Sequence, residues 1–240
     1  MHVTSVAGIF SVPGFDLGMV WIDFMHVVDL GMAQLVVGNV FWELYRATGS
    51  NQDSLADLLR LVHWASKQHG YETPAINKIT VNMIRKEGKK PNFKAKAAES
   101  RKLVHCVYSI LQLFPRTTNH EIIRYSCVEL LVLIYKEMYN WTSESASHIA
   151  TLGRKHCILY ARLSIDMHES GQNPDFLFWR CTPKMHLFCH LIEQGVNPKT
   201  YWAYCDESEI GHATRMAERV HVRTLNFELM DRYRILELLR

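Results

Sequence analysis

Apolar residues recur at helical spacing through most of the chain. From Val27 to Ala47 they fall at Val28, Met32, Leu35, Val36, Val40, Trp42, Leu44 and Tyr45, which predicts one long helix. Thr48-Gly49-Ser50-Asn51 ends it, and Asn51 or Asp53 is positioned to cap the next predicted helix, Ser54–Lys67. Further helices are predicted over Ala97–Phe114, Asn119–Asn140 and Ser143–Ser170, with Pro115 separating the first two. Pro183–Gln194 reads as a short helix with Pro183 at its first position, and Glu207–Arg219 and Asn226–Arg240 are the last two helical patterns. Two runs break the period. Met19–Met25 is compact and apolar with only Asp23 interrupting it, the pattern of a buried strand, and Tyr201–Cys205 is aromatic and strand-like. Ile79–Ile84 fits either state. Gly70–Pro74 is a turn, and Gly88–Lys96 is a basic loop holding Pro91.

The predicted fold is therefore mainly α. Two isolated strands cannot make a useful sheet, so partner strands are expected in the Gly- and Pro-bearing first twenty residues or on chain outside this sequence. Composition agrees with a globular protein: of 240 residues, 48% are hydrophobic and 21% charged, which excludes wholesale disorder. No uninterrupted apolar run approaches the length of a membrane span, so no membrane partner is expected. MHVTSVAGIF lacks the basic and apolar regions of a signal peptide. The six cysteines form no CxxC pair and read as small buried hydrophobes in a reducing compartment.

A net charge of +3 does not announce a nucleic-acid binder, but the distribution of charge is uneven. Arg85, Lys86, Lys89, Lys90, Lys94, Lys96, Arg101 and Lys102 stand within eighteen residues against only Glu87 and Glu99, a stretch suited either to phosphate contact or to a solvated surface. Asp23-Phe24-Met25-His26 is the second constellation. An Asp at the end of a buried strand is a rigid hard ligand for a divalent cation; the plainer alternative is that Asp23 caps the following helix and His26 is a core histidine. In the third, Trp202 and Tyr204 lead into Asp206, Glu207 and Glu209, acids that a helix N-terminus stabilises without any further role. Cys181, His186 and His190, with Cys189 or Cys205 as a fourth ligand, have a spacing that could hold zinc or serve the core instead. HExxH, GxSxG, Walker and GxGxxG motifs are absent, which removes the best indicators of the hydrolases and nucleotide-binding classes they mark.

Taken together, WIDFMHVVDLGMAQLVVGNVFWEL resembles the segment around the second catalytic aspartate of CACTA-type (En/Spm-like) transposases, with its D-x-x-H signature. PKMHLFCHLIEQGVNPKTYWAYCDESEIGHATRMAERVHVRTL resembles the segment holding their third acid. Similar sequences are expected among element-derived genes of dinoflagellates. The resemblance implies a partial RNase H-like α/β core with few strands and a large helical insertion. It divides the chain into a core segment over 1–50, the insertion over 51–180 and a C-terminal core segment over 181–240. It implies Asp23 as the second acid, His26 as the signature histidine and Glu207 as the third acid, with Asp206 and Glu209 as alternatives of register. Family chemistry is two-metal phosphoryl transfer on DNA, with Mg²⁺ or Mn²⁺ held by the acids. Lys184, His186 and His190 would contact phosphate or support the acids.

The family also needs a first aspartate well upstream. Only Asp16 precedes Asp23 here, seven residues earlier and in a Gly/Pro loop. The resemblance thus implies a truncated or decayed transposase-derived chain without strand-cleaving activity, in which Asp23 and Glu207 would bind a metal weakly. DNA is the expected partner, with self-association beside it, and the implied location is the nucleus, or else the cytoplasm. Two other classes stay open: a non-enzymatic helical module that binds nucleic acid or protein, and a hydrolase using Asp23, His26, His186, His190 and Glu207 around one ion.

Overall fold

The computed structural model describes residues 21–68, 70, 72–172, 175, 177–200 and 202–204. The chain divides into two compact units, Met1–Tyr201 and Trp202–Arg240. The first is built on helices α1 (Gln34–Ala47), α2 (Gln52–Gln68), α3 (Val81–Ile84), α4 (Ala97–Gln112), α5 (Asn119–Tyr139), α6 (Ser145–Glu169) and α7 (Pro183–Leu191). Among the described residues there is no β-strand. In the second unit the rings of Trp202 and Tyr204 meet edge to face with centroids 5.0 Å apart.

The strand expected at Met19–Met25 does not form over its described part. Trp21–Asp23 carry no regular structure, and Phe24 already belongs to a helix. A short apolar run suits a buried strand and a buried helix equally, and here the fully buried Phe24 and Met25 enter a helical core. Asp23 therefore ends no strand; it opens the helix. Likewise Trp202–Tyr204, the described part of the second expected strand, is not extended sheet. The helices expected at Glu207–Arg219 and Asn226–Arg240 lie outside the described residues.

Met25–Ala33 winds as a π-helix, the wide i to i+5 form that is rare beyond a single turn, and runs directly into α1. Together they are buried over most of their length, as a central helix is, with Asn39 and Glu43 as polar positions on α1 that find hydrogen-bond partners. Met25–Ala47 has the length and mean hydropathy (1.3) of a membrane span, yet 78% of its most apolar window is buried inside the protein. The other helices are packed around it. α4 lies against the π-helical segment, α1, α2 and α5, while α5 and α6 form the most extensive helix pair. Tyr135 Oη donates to Asp29 Oδ1 at 2.5 Å, a fully buried bond tying the π-helical segment to α5.

Local chemistry sets the helix ends. Asn51 Oδ1 accepts from the Ser54 backbone N–H at 2.8 Å, the cap anticipated for α2. Thr118 and Glu121 form a reciprocal capping box at the start of α5, and the backbone N–H groups of Thr118 and Thr117 hold the Glu121 carboxyl down at about 2. Ile79–Ile84, undecided from sequence, becomes α3 with Thr80 as its cap.

Candidate nucleic-acid interface

The basic loop is held in place by the helix beneath it. At Gly38 of α1 a Cβ would lie 2.7 Å from the Asn92 backbone nitrogen and 2.8 Å from that of Phe93, so only glycine lets the loop cross there. The crossing is fastened by hydrogen bonds. The Phe93 N–H donates to Gln34 O (2.9 Å), Lys94 N–H to Met83 O (2.8 Å) and Asn92 N–H to Ile84 O (2.9 Å). Gln34 Nε2 donates in turn to Ala95 O at 2.7 Å. Phe93 is fully buried and meets Phe41 edge-on, centroids 5.3 Å apart. Burial of a side chain this size stabilises by about 1.5–3 kcal/mol, enough to fix the loop as part of the fold.

The facing wall is the segment from Leu177 to Lys184. Its anchor is Trp179, fully buried and at φ +51°, outside the comfortable range of a bulky residue. Two bonds to α1 hold it there: its backbone N–H donates to Asn39 Oδ1 at 2.8 Å, and its indole Nε1–H to Glu43 Oε1 at 2.6 Å. Glu43 is also bonded to Arg124 Nη1 (2.6 Å) and His120 Nε2 (3.1 Å) of α5. Burial would raise the Glu43 pKa, but the His120 hydrogen bond, the Arg124 charge and the Trp179 bond outweigh it and hold the carboxyl below its usual range.

Between the two walls lies a cleft of about 650 Å³. Lys86, Lys89, Lys90 and Lys94 reach it from the basic loop, and Arg180 and Lys184 from the facing wall. Among the described residues lining it there is no carboxylate. The charges feel one another. Burial first, then Arg180 and Lys184, lower the Lys90 pKa; the Lys86 charge is the main cause lowering that of Lys94. Lys184 is lowered by burial. Pro183 stands at the first position of α7, and the hydroxyl of the preceding Thr182, a lining residue, is buried without a hydrogen-bond partner. Six cations thus line one cleft, a concentration of positive charge from two stretches of chain.

Of the eight cations in the basic run, four line the cleft and four do not. Arg85 stacks its guanidinium 5.0 Å from the Trp42 ring centroid and 4.9 Å from that of Phe178. Lys96 is exposed at the start of α4. Arg101 lies over the Tyr139 ring at 5.6 Å. Lys102 is paired with Glu72 and Glu99, each at 3.2 Å, and those acids raise its pKa against the opposing effect of burial. Arg180 was not a candidate. It stands alone between Trp179 and Cys181, and no run or motif marks it.

Asp23 behaves as a helix cap. Its Oδ2 accepts the His26 backbone N–H at 2.9 Å and contacts the His26 ring Nδ1, while Oδ1 accepts from Met25 at 3.3 Å. Lys184 joins this turn from the far end of the chain: Nζ donates to His26 O at 2.9 Å and Leu30 O at 2.7 Å. Its stem crosses Gly31, where a Cβ would lie 2.7 Å from the Lys184 Cδ. His186 and His190 are exposed and face each other on α7, Nε2 to Nε2 at 3.1 Å. Cys181 is exposed, and Cys189 lies 3.7 Å from Cys157, sulfur to sulfur. No group of three His, Cys, Asp or Glu side chains able to hold a metal occurs among the described residues. Cys205, Asp206, Glu207 and Glu209 lie outside them.

Comparison with known protein families, characterised proteins and solved structures finds no match for this chain.

Proposed function

We propose that this chain binds the phosphate backbone of nucleic acid in the cleft between the basic loop and the Leu177–Lys184 segment. The observation that carries the reading is the convergence of Lys86, Lys89, Lys90, Lys94, Arg180 and Lys184 on one cavity, without a carboxylate among its described lining. Cations distributed over a surface for solubility are interspersed with acids. Here they are gathered from two stretches of chain that the fold holds rigidly, and their mutual repulsion is relieved when an anion enters. The protein is a binding module on this reading, with DNA as its partner and the nucleus as its place of action.

The resemblance to CACTA-type transposases extends the proposal. The bond from Lys184 to His26 supports it, because it joins the two segments that carry the resemblance. On that reading the cleft is the surviving DNA-binding surface of a transposase-derived chain, and strand cleavage is not part of its activity. Mg²⁺ or Mn²⁺ belongs to that family's chemistry, and at Asp23 the carboxylate would have to be shared between the ion and the helix cap.

The test is fluorescence anisotropy of a labelled DNA duplex across a salt series. Affinity should fall with salt by about 0.9 log units per phosphate neutralised for each tenfold rise. Lys89→Ala and Lys90→Ala should each flatten that slope by about one contact, while Asp23→Ala leaves it unchanged. Binding that ignores salt, or that Lys89→Ala and Lys90→Ala leave intact, would overturn the reading.

A further inference from the structure

Beside the cleft is a second hollow of about 370 Å³, which shares Asn82, Lys86 and Gly88 with it. Its chemistry differs. Trp42 and Arg85 line it, and the Arg85 guanidinium stands 5.0 Å from the Trp42 ring centroid. Phe178 stacks alongside Trp42, ring planes 18° apart and centroids separated by 6.5 Å. The guanidinium is held by its own hydrogen bond, Nε–H to Lys89 O at 2.7 Å. Asn82 and Glu87, both exposed, complete the polar part of the lining. The indole Nε1 of Trp42 is buried without a hydrogen-bond partner.

Resting on the backbone-binding reading, we propose that this hollow takes an unpaired nucleobase, so that the ligand of the cleft is a single strand. Flat π surfaces and guanidinium planes are what an unstacked base covers, and they accept any base by its face. Glu87 decides what enters. A carboxylate repels phosphate but accepts hydrogen bonds from the exocyclic amines of cytosine, adenine or guanine, and the Asn82 amide offers both a donor and an acceptor to a base edge. In a duplex the base faces are stacked and only the groove edges stay exposed, so no ring can enter the hollow. The shared wall lets one strand run its phosphates along the lysines and turn a base aside without leaving the protein.

The experiment compares three probes of equal length on the full chain, at one salt concentration, by anisotropy: an oligo-dC strand, a strand with the same phosphates whose sugars are all abasic, and a duplex. Stacking of one base corresponds to about five- to 150-fold in affinity. Oligo-dC should therefore bind at least about fivefold tighter than the abasic strand and tighter than the duplex. Equal affinity for oligo-dC and the abasic strand overturns the base site and leaves the phosphate cleft standing; a preference for duplex does the same. Failure of all three probes to bind removes both readings. Location is read on the unaltered protein with a 5-iodocytosine strand, whose photocrosslink should map to Trp42, the aromatic residue that lines the hollow. A crosslink confined to other peptides overturns the assignment. Trp42→Ala should bring oligo-dC down to the abasic level without changing the abasic strand.

Discussion

Lys184 Nζ reaches back 158 positions to donate to the carbonyl oxygen of His26. The same ammonium caps Leu30 O, so one side chain closes two carbonyls of the π-helical segment and places the start of α7 beside it. This bond positions one wall of the cleft.

Lys184→Met should therefore loosen that wall as well as remove a charge. Hydrogen bonds from a charged donor contribute about 1.5–3 kcal/mol, and loss near the lower end is expected because the lysine is only partly buried. Urea unfolding measures it, and an unchanged midpoint would show that α7 docks without this bond.

Two glycines should respond differently to the same substitution. In Gly38→Ala the new methyl meets the backbone of Asn92 and Phe93, which cannot move aside cheaply. A cost of about 1–3 kcal/mol, reduced by the better helix propensity of alanine, is expected together with weaker polyanion binding. In Gly31→Ala the nearest atom is the flexible Lys184 Cδ. Its cost should be smaller, near the roughly 1 kcal/mol that helix propensity returns. Thermal midpoints of the two variants give the order directly.

Stability should decline in acid in two stages. His156 is fully buried, donates from Nδ1 to Cys127 O at 2.8 Å, and is pushed by burial down to about 4. The unfolded chain takes up this proton near 6.5 and the folded chain only near 4, so stability is lost as pH falls through that interval. His156→Phe should reduce the pH dependence there, and His105, which burial and then the Arg101 charge also lower to about 4, should keep the remainder.

Beside the capping-box Glu121, Glu43 contributes to the second stage. Its folded pKa lies below the ordinary 4.5, so the stability it contributes is present above 4.5 and lost as pH falls through the lower folded value. Glu43→Gln keeps an acceptor oxygen but leaves the buried Arg124 without its counter-charge, and should cost up to about 3–5 kcal/mol at neutral pH. Urea titrations at a series of pH values separate the two stages.

Cys157 of α6 and Cys189 of α7, with sulfurs 3.7 Å apart, should form an intramolecular disulfide under diamide. Burial and the neighbouring thiol raise the Cys157 pKa, so the reaction should be slow at neutral pH and accelerate in base. Peptide mass mapping should find the cross-link in the unaltered chain and lose it in Cys157→Ser.

Helices were legible in the sequence wherever an apolar stripe met a polar face and a cap residue stood at its start, as at Asn51. The Met19–Met25 run suits a strand and a helix equally, because a short apolar run shows no period; over its described part Trp21 is exposed and only Phe24 and Met25 enter the core. Four lysines of the cleft were visible as a run, but a run does not say which way each side chain turns. Lys102 found acids, Arg101 found Tyr139, and Arg180 arrived with Lys184 from the opposite wall. Glu43 was invisible for the same reason. Its partners lie 77 to 136 positions away, and only the fold joins them.

The crossing at Gly38 has a thermodynamic corollary. A basic segment that is loose in solution must be ordered by its ligand, and part of the attraction is consumed in doing so. This loop is ordered already, held by Gln34, Phe93 and the glycine beneath it, so its ammonium groups stay close whether or not anything lies between them. The empty protein bears that repulsion as a permanent destabilisation. Any polyanion that occupies the cleft should then raise the melting temperature as well as report binding, because occupancy and folding are linked through the same charges.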